Sequence, residues 1–299
     1  MQKNISVEYC YHSENVSCVK EPRTPLTVVT LYFCASVAGM LTFYGNLVVI
    51  ISISHFKQLH TPTNVLVLSL ALADCMIGII VMPIMVIQFI ETCWYFGNTS
   101  CVIYSIALGF SVINLSVIAI DRYIAICHPL TYSNKITVRT GALAVSAIWI
   151  STFTYICDCV LVFNSTCATI DLIYSFILPV SVMITLYAKI FLIAKRHARN
   201  RNISKKSERK AAKTLGIVVT VFFLCWLPFY VCSLLNQFMN FAVSSGVAWA
   251  CLWIGNINSG LNPIIYALFY PWFRKSFKLL ITCKICNPGS SLISLMNEH

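Results

Sequence analysis

The sequence predicts an all-α membrane protein: a bundle of seven transmembrane helices with a short amphipathic eighth helix behind them. Three observations carry this. Hydrophobic residues make up 58% of the 299-residue chain and charged residues only 10%, against about 25% charged in soluble domains. A soluble fold of this length cannot hide that much apolar surface, whereas a helical bundle in lipid need not. Seven apolar segments follow one another at about 27–53, 63–90, 101–126, 138–157, 168–194, 213–237 and 246–270, each supplying the roughly 20 residues that cross a bilayer. The basic residues are one-sided: of 21 Lys and Arg, only Lys3, Lys20 and Arg23 lie on the side of the N-terminus, and the other 18 fall on the opposite side or at its boundary. By the positive-inside rule the N-terminus is expected outside and the C-terminus in the cytoplasm of a plasma-membrane protein. Residues 1–26 then form an extracellular segment, 27–270 the membrane domain, and 271–299 a cytoplasmic amphipathic helix and tail.

The net charge of +11 does not point to nucleic acid, because no basic patch is interleaved with an aromatic RNA-binding motif. The charge gathers in the run from Lys195 to Lys213. Such a run suits a solvated loop facing lipid headgroups, and it is also where a cytoplasmic partner would dock.

In chain order, residues 1–24 are polar and lack the basic-then-apolar pattern of a cleaved signal peptide. Asn4-Ile5-Ser6 and Asn15-Val16-Ser17 fit the glycosylation acceptor pattern, which matters only if this end is extracellular. The first span carries Gly45-Asn46-Leu47-Val48 and the second Leu70-Ala71-Leu72-Ala73-Asp74. Asp74 is an acid in mid-membrane, costly unless solvated or paired. Ser111, Asn258, Ser259 and Asn262 are expected near it as a cluster of polar oxygens; the alternative is a neutral, hydrogen-bonded core Asp. The third span ends in Asp121-Arg122-Tyr123, and adjacent opposite charges belong at a membrane–water boundary. The fourth carries Trp149 and the fifth Pro179. The sixth carries Phe222-Phe223-Leu224-Cys225-Trp226-Leu227-Pro228, where Pro228 removes a backbone hydrogen bond and kinks the helix. Trp226 lies half a turn earlier, where a ligand would push on a bent element; core packing of Trp226 and Phe222 is compatible with that. The seventh carries Asn262-Pro263-Ile264-Ile265-Tyr266, then Phe269 and an amphipathic helix near 271–281.

One hallmark per span, each in order, resembles the rhodopsin-like (class A) G-protein-coupled receptors. The finer resemblance is to the trace-amine-associated receptors, an amine-sensing olfactory branch. It rests on Trp94-Tyr95-Phe96-Gly97 before Cys101, on Ala194-Lys195-Arg196-His197-Ala198-Arg199, on Lys206-Ser207-Glu208-Arg209-Lys210-Ala211-Ala212-Lys213-Thr214-Leu215 and on Phe269-Tyr270-Pro271-Trp272-Phe273-Arg274-Lys275. The resemblance implies a receptor for a small cationic amine that activates a stimulatory G protein and cyclic-AMP production. Asp121, Arg122, Tyr123 and Tyr266 would then be coupling and switch residues. The Asp74 cluster would take a sodium ion as an allosteric ligand, with no other cofactor expected. Tyr104, Trp226, Phe229, Tyr230, Trp253 and Asn256 would line the ligand site.

There are fifteen cysteines, most inside apolar spans, where a buried thiol is the default. Cys101 and Cys159 are the expected disulfide, tying the outer end of the third span to the second extracellular loop. Cys10 and Cys18 are outside too, with Cys93, Cys157 and Cys167 as candidate partners, and their pairing is left open by the sequence. Cys283 and Cys286, after the tail helix, are candidate palmitoylation sites. No spacing reads as a metal site, and no nucleophile–base pair suggests an enzyme.

The ligand charge follows from elimination. With Asp121 set aside at the cytoplasmic boundary, only Asp74 and Asp171 are acids within spans, and no Lys or Arg lies in the outer half of any span. Asp171 therefore calls for a cationic ligand, with Ser175 one turn further in on the same face. Amine receptors commonly hold the ammonium with an Asp in the third span; here that place falls on Tyr104. Some fish-type trace-amine-associated receptors carry an Asp eight residues before the fifth-span proline, as Asp171 stands before Pro179. The bland reading of Asp171 is an acid favouring the positive end of the fifth helix.

Three features depart from the family pattern. From Cys101 to Arg122 the chain is shorter by roughly one helical turn, lost between Cys101 and Ser111. The stretch from Trp149 to Pro179 is also short, and Asn256 replaces a family Tyr. The competing readings are a receptor-like chain that no longer signals and a secondary transporter. The transporter lacks support, since no internal repeat with helices broken at matching positions is visible.

Overall fold

The computed structural model describes Cys10 and residues 23–93, 95–159, 172–198, 205–238 and 243–295. Among them seven long helices pack as one bundle, with no strand. Four are long and apolar enough by themselves to cross a membrane: Pro25–His55, Pro62–Glu91, Gly109–Cys127 and Gly216–Asn236. The first helix is Pro25–His55. The second runs through Pro62–Glu91, the third is Gly97–Cys127 and the fourth Val138–Cys159. The fifth comprises a π-helical turn, Ile173–Ile177, and the helix Leu178–Ala198. The sixth is Lys205–Phe238 and the seventh Ser245–Phe269. Large apolar side chains such as Leu26, Phe33, Leu143 and Leu268 face outward, as lipid requires and water would not tolerate.

Local chemistry sets the helix starts. Thr24 caps the first helix and Thr61 the second, each followed by proline, whose missing N–H costs nothing there. Ser244 caps the seventh by accepting from Val247 N. The second and fifth helices share an irregularity. A π-helical turn at Ile77–Val81 ends two residues before Pro83, and another at Ile173–Ile177 ends two residues before Pro179. A proline cannot donate back to the preceding turn, and one extra residue per turn accommodates that loss.

The sixth helix begins at Lys205, earlier than the apolar pattern suggests. Part of the basic run is therefore a helical extension of the apolar segment. The third helix likewise begins at Gly97 and continues without a break through Ser111.

The third helix touches the second, fourth, fifth and sixth, and so occupies the middle of the bundle. Glycines permit the closest approaches. Gly39 and Gly78 bring the first and second helices together, since a Cβ at Gly78 would lie 3.0 Å from the Gly39 carbonyl. Trp149 reaches from the fourth helix to the second, donating to Ser69 Oγ at 3.0 Å while stacking on Phe110.

At the end bearing Arg122, a seven-residue loop helix, Pro129–Lys135, follows the third span. The expected amphipathic tail helix is Pro271–Ile281, anchored by buried Trp272 and Phe273. The chain beyond it folds back on the first loop. Leu295 is buried with Val49, Ile53, Phe56, Leu59 and Trp272, and His55 Nε2 lies 2.9 Å from Ser290 Oγ.

Candidate functional site

The boundary charges of the third helix form a closed polar network. Arg122 Nη2 lies 2.6 Å and Nε 2.9 Å from Asp121 Oδ2. Tyr132, on the loop helix, donates to Asp121 Oδ1 at 3.0 Å and accepts from Arg122 Nη2 at 3.1 Å. Thr63, in the first turn of the second helix, donates to Asp121 Oδ2 at 2.9 Å and also meets Arg122 Nη2 and the Tyr132 hydroxyl. Asp121 is 8% and Arg122 20% exposed, so the pair is screened from water on most sides. Burial pushes the Tyr132 phenol above its ordinary pKa, which keeps it a hydrogen-bond donor. The motif gave Asp121 and Arg122; Thr63 and Tyr132 carried no signal of their own. Only the helical turn opened by Pro129 returns Tyr132 to Asp121. Tyr123 lies apart from this network, edge-on to His128 and beneath Lys189 Nζ at 5.8 Å. Tyr266 is buried and packs against Tyr270 and Phe273.

At mid-bundle Asp74, Ser111 and Asn262 of the expected cluster come together from three helices. Asp74 is fully buried; Ser111 Oγ donates to its Oδ1 at 3.1 Å and Asn262 Nδ2 to its Oδ2 at 2.7 Å. Ser259 lends its backbone carbonyl to Asn46 Nδ2 of the first helix at 3.0 Å. Asn258, also buried, has neither amide atom hydrogen-bonded, and Asn262 Oδ1 has no partner either. These oxygen donors match what a hard cation takes, and buried amide atoms left unpaired are costly in a dry core.

Toward the other end the sixth helix presents aromatic rings. Trp226 lies 6.1 Å from both Phe229 and Tyr230. Phe176 of the fifth helix stacks on Tyr230 at 4.2 Å, a partner the sequence reading missed. Trp226 rests against the seventh helix at Gly255, where a Cβ would come within 2.9 Å of the indole. Asn256, next in the chain, is fully buried and bonded to the Leu252 carbonyl, with Oδ1 unpartnered. Trp253 packs instead against the second helix, with Ile77, Met85 and Ile90. Tyr104 is on the third helix and Ser175 on the π-helical turn of the fifth. Their side chains, and all of Asp171, lie outside the described residues.

Cys10 is bonded to Cys93, which closes one pairing the sequence left open and ties the N-terminal segment to the end of the second helix. Cys101 lies in the third helix, and Cys159 is the last residue of the fourth helix instead of a loop residue. Both of their side chains are outside the described residues, as are Asn4 and Asn15. Cys283 and Cys286 are exposed free thiols just beyond the tail helix.

A family model described as 7 transmembrane receptor (rhodopsin family) matches residues 45–266. The chain is 41% identical to trace amine-associated receptor 13c of Danio rerio, over 96% of this chain and 96% of the relative. It is 39% identical to trace amine-associated receptor 6 of Homo sapiens, over 99% of this chain and 97% of the relative. It is also 39% identical to trace amine-associated receptor 8a of Rattus norvegicus over the whole of both. That last alignment runs over 345 positions and uses all 299 residues here, so about 46 internal positions are filled only in the relative.

Proposed function

Because the chain belongs to the rhodopsin-like seven-transmembrane receptors and, within them, to the trace amine-associated receptors, we propose that it senses small cationic amines as an olfactory receptor and activates a stimulatory G protein. As a member of that family it is a multi-pass plasma-membrane signalling receptor and not an enzyme. The N-terminus faces outward, and the Arg122 end meets the G protein. Asp171 holds the ammonium and Ser175 a second polar group. Tyr104, Trp226, Phe229, Tyr230, Trp253 and Asn256 contribute to the walls, and Trp226 passes ligand contact to the bend at Pro228. Asp121 restrains Arg122 at rest; Tyr123 and Tyr266 join the switch that frees it. Asp74, Ser111, Asn258, Ser259 and Asn262 would hold a sodium ion, which supplies a compensating charge for the buried acid.

One observation favours a working receptor over a decayed one. Although about 46 internal positions are missing relative to the rat receptor, the polar network at Arg122 is closed and both carboxylate oxygens of Asp74 are hydrogen-bonded. Decay would have no reason to spare contacts drawn from six separate positions between Thr63 and Asn262.

The test is cyclic-AMP output against a panel of primary amines and diamines, for the native chain and Asp171→Asn at matched surface levels. A desolvated ammonium–carboxylate pair loses on the order of 2–5 kcal/mol when one partner is neutralised. The half-maximal concentration should rise roughly thirtyfold or more. An unshifted curve places the anchor elsewhere. A native chain that reaches the surface and answers no amine overturns the reading.

A further inference from the structure

Two thiols outside every role above face each other across the sixth and seventh helices. The Cys232 and Cys251 sulfurs are 3.7 Å apart, neither is in a disulfide, and either can donate to the other. A disulfide needs about 2.0 Å, so closure asks for a small rotation of two side chains already in contact. Cys232 is half-buried and Cys251 buried, so Cys232 is the more open member of the pair. Such an arrangement suits an attacking thiol and a resolving thiol.

A second observation concerns the compartment. The pair lies in the half of the bundle that carries the Cys10–Cys93 disulfide. Trp249, two residues before Cys251, packs against Phe89 at 6.4 Å, four residues before Cys93. A disulfide persists only where the surroundings are oxidising. Oxidant therefore reaches this end of the molecule.

We propose that Cys232 and Cys251 form a redox-closable pair that bolts the outer half of the sixth helix to the seventh. The co-reactant is a small disulfide. Its S–S bond is attacked by the Cys232 thiolate, releasing one small thiol and leaving a mixed disulfide on Cys232. Cys251, deprotonated in its turn, attacks that mixed bond and releases the second small thiol. The two cysteines lose two protons and two electrons, and the small disulfide gains them. The new bond sits six residues beyond Trp226 on one helix and four residues before Gly255 on the other, and so it fixes the contact between that ring and the seventh helix. The structural step stands by itself; its effect on signalling rests on the amine-receptor reading.

The experiment has two arms on the full-length receptor. In the first, purified protein is treated with glutathione disulfide, blocked with a maleimide, digested without reduction and analysed by mass spectrometry. The expected product joins the Cys232 and Cys251 peptides, and the oxidised protein unfolds at a higher temperature than the reduced. Cys232→Ser and Cys251→Ser should each abolish both effects. In the second arm, cells expressing the receptor are oxidised and then reduced. Maximal cyclic-AMP response should fall by at least half and recover with dithiothreitol in the native chain, and stay constant in Cys232→Ser. Both cysteines carrying maleimide after oxidation overturn the proposal, as does a fully joined receptor that signals like the reduced one. The joined-peptide readout of the first arm needs no amine and no variant, so a silent receptor or a misfolded mutant leaves it decisive.

Discussion

At the residue scale the chemistry concentrates on Arg122. Three groups hold its neighbourhood: the Asp121 carboxylate, the Tyr132 hydroxyl and the Thr63 hydroxyl. A hydrogen bond to a charged group contributes on the order of 1.5–3 kcal/mol, more than an exposed ion pair, which contributes about 0–1. The restraint on Arg122 therefore depends as much on the two hydroxyls as on its acidic neighbour. Tyr132→Phe deletes the donor to Asp121 Oδ1 with little change in shape, and Thr63→Val deletes the donor to Oδ2. Each should raise agonist-free cyclic AMP severalfold at matched surface levels, and Asp121→Asn should do the same. Combining Tyr132→Phe with Asp121→Asn should add little, because both act on one network. Basal output equal to the native chain in all three variants would refute the restraint. Asp121 and Arg122 were legible in the sequence because adjacent charges after an apolar run have one natural location. Thr63 and Tyr132 were not, since a hydroxyl next to proline and a tyrosine in a short loop look ordinary until two helix ends are brought together.

At the element scale the governing contact is the sixth helix on the seventh. Trp226 fits because Gly255 has no side chain: a methyl there would sit 2.9 Å from Cε3 and 3.0 Å from Cδ2 of the indole. Comfortable carbon contacts are about 3.5–4.0 Å. A rigid ring between two packed helices cannot yield by rotation alone, so Gly255→Ala should cost about 1–3 kcal/mol, the usual range for overpacking. The purified receptor should unfold several degrees lower. Trp226→Phe in the same chain removes ring volume at the clash, and the double variant should lose less than the two single losses combined. Strict additivity would mean that the ring and the glycine do not meet. Pattern reading found Trp226 and Pro228 but passed over Gly255, because a glycine inside an apolar helix gives no hint of what lies opposite. It likewise predicted seven spans yet missed the π-helical turns at Ile77–Val81 and Ile173–Ile177. Hydropathy records which residues face lipid, not how a proline's missing donor is absorbed one turn earlier.

At the scale of the whole molecule two independent asymmetries agree. Eighteen of 21 Lys and Arg lie on the side of Arg122 or at its boundary, and the sixth helix carries part of that charge on a helical extension starting at Lys205. The Cys10–Cys93 disulfide lies at the opposite end. The first asymmetry sets insertion, because positive loops are retained in the cytoplasm. The second reports environment, because disulfides survive outside it. The charge bias was visible in the sequence; the pairing of Cys10 was not, since connectivity depends on which loops meet. Had the two disagreed, one end of the bundle would have needed either basic loops outside or a disulfide in a reducing compartment. Their agreement predicts one topology. An epitope placed before Met1 should be stained by antibody on intact cells, and one placed after His299 only once the membrane is permeabilised. Asn4 and Asn15 would then face the glycosylation machinery, so glycosidase should shift the native protein on a gel, and Asn4→Gln with Asn15→Gln should remove that shift. Staining of the C-terminal epitope on intact cells would reverse the assignment and place Arg122 on the side away from any G protein.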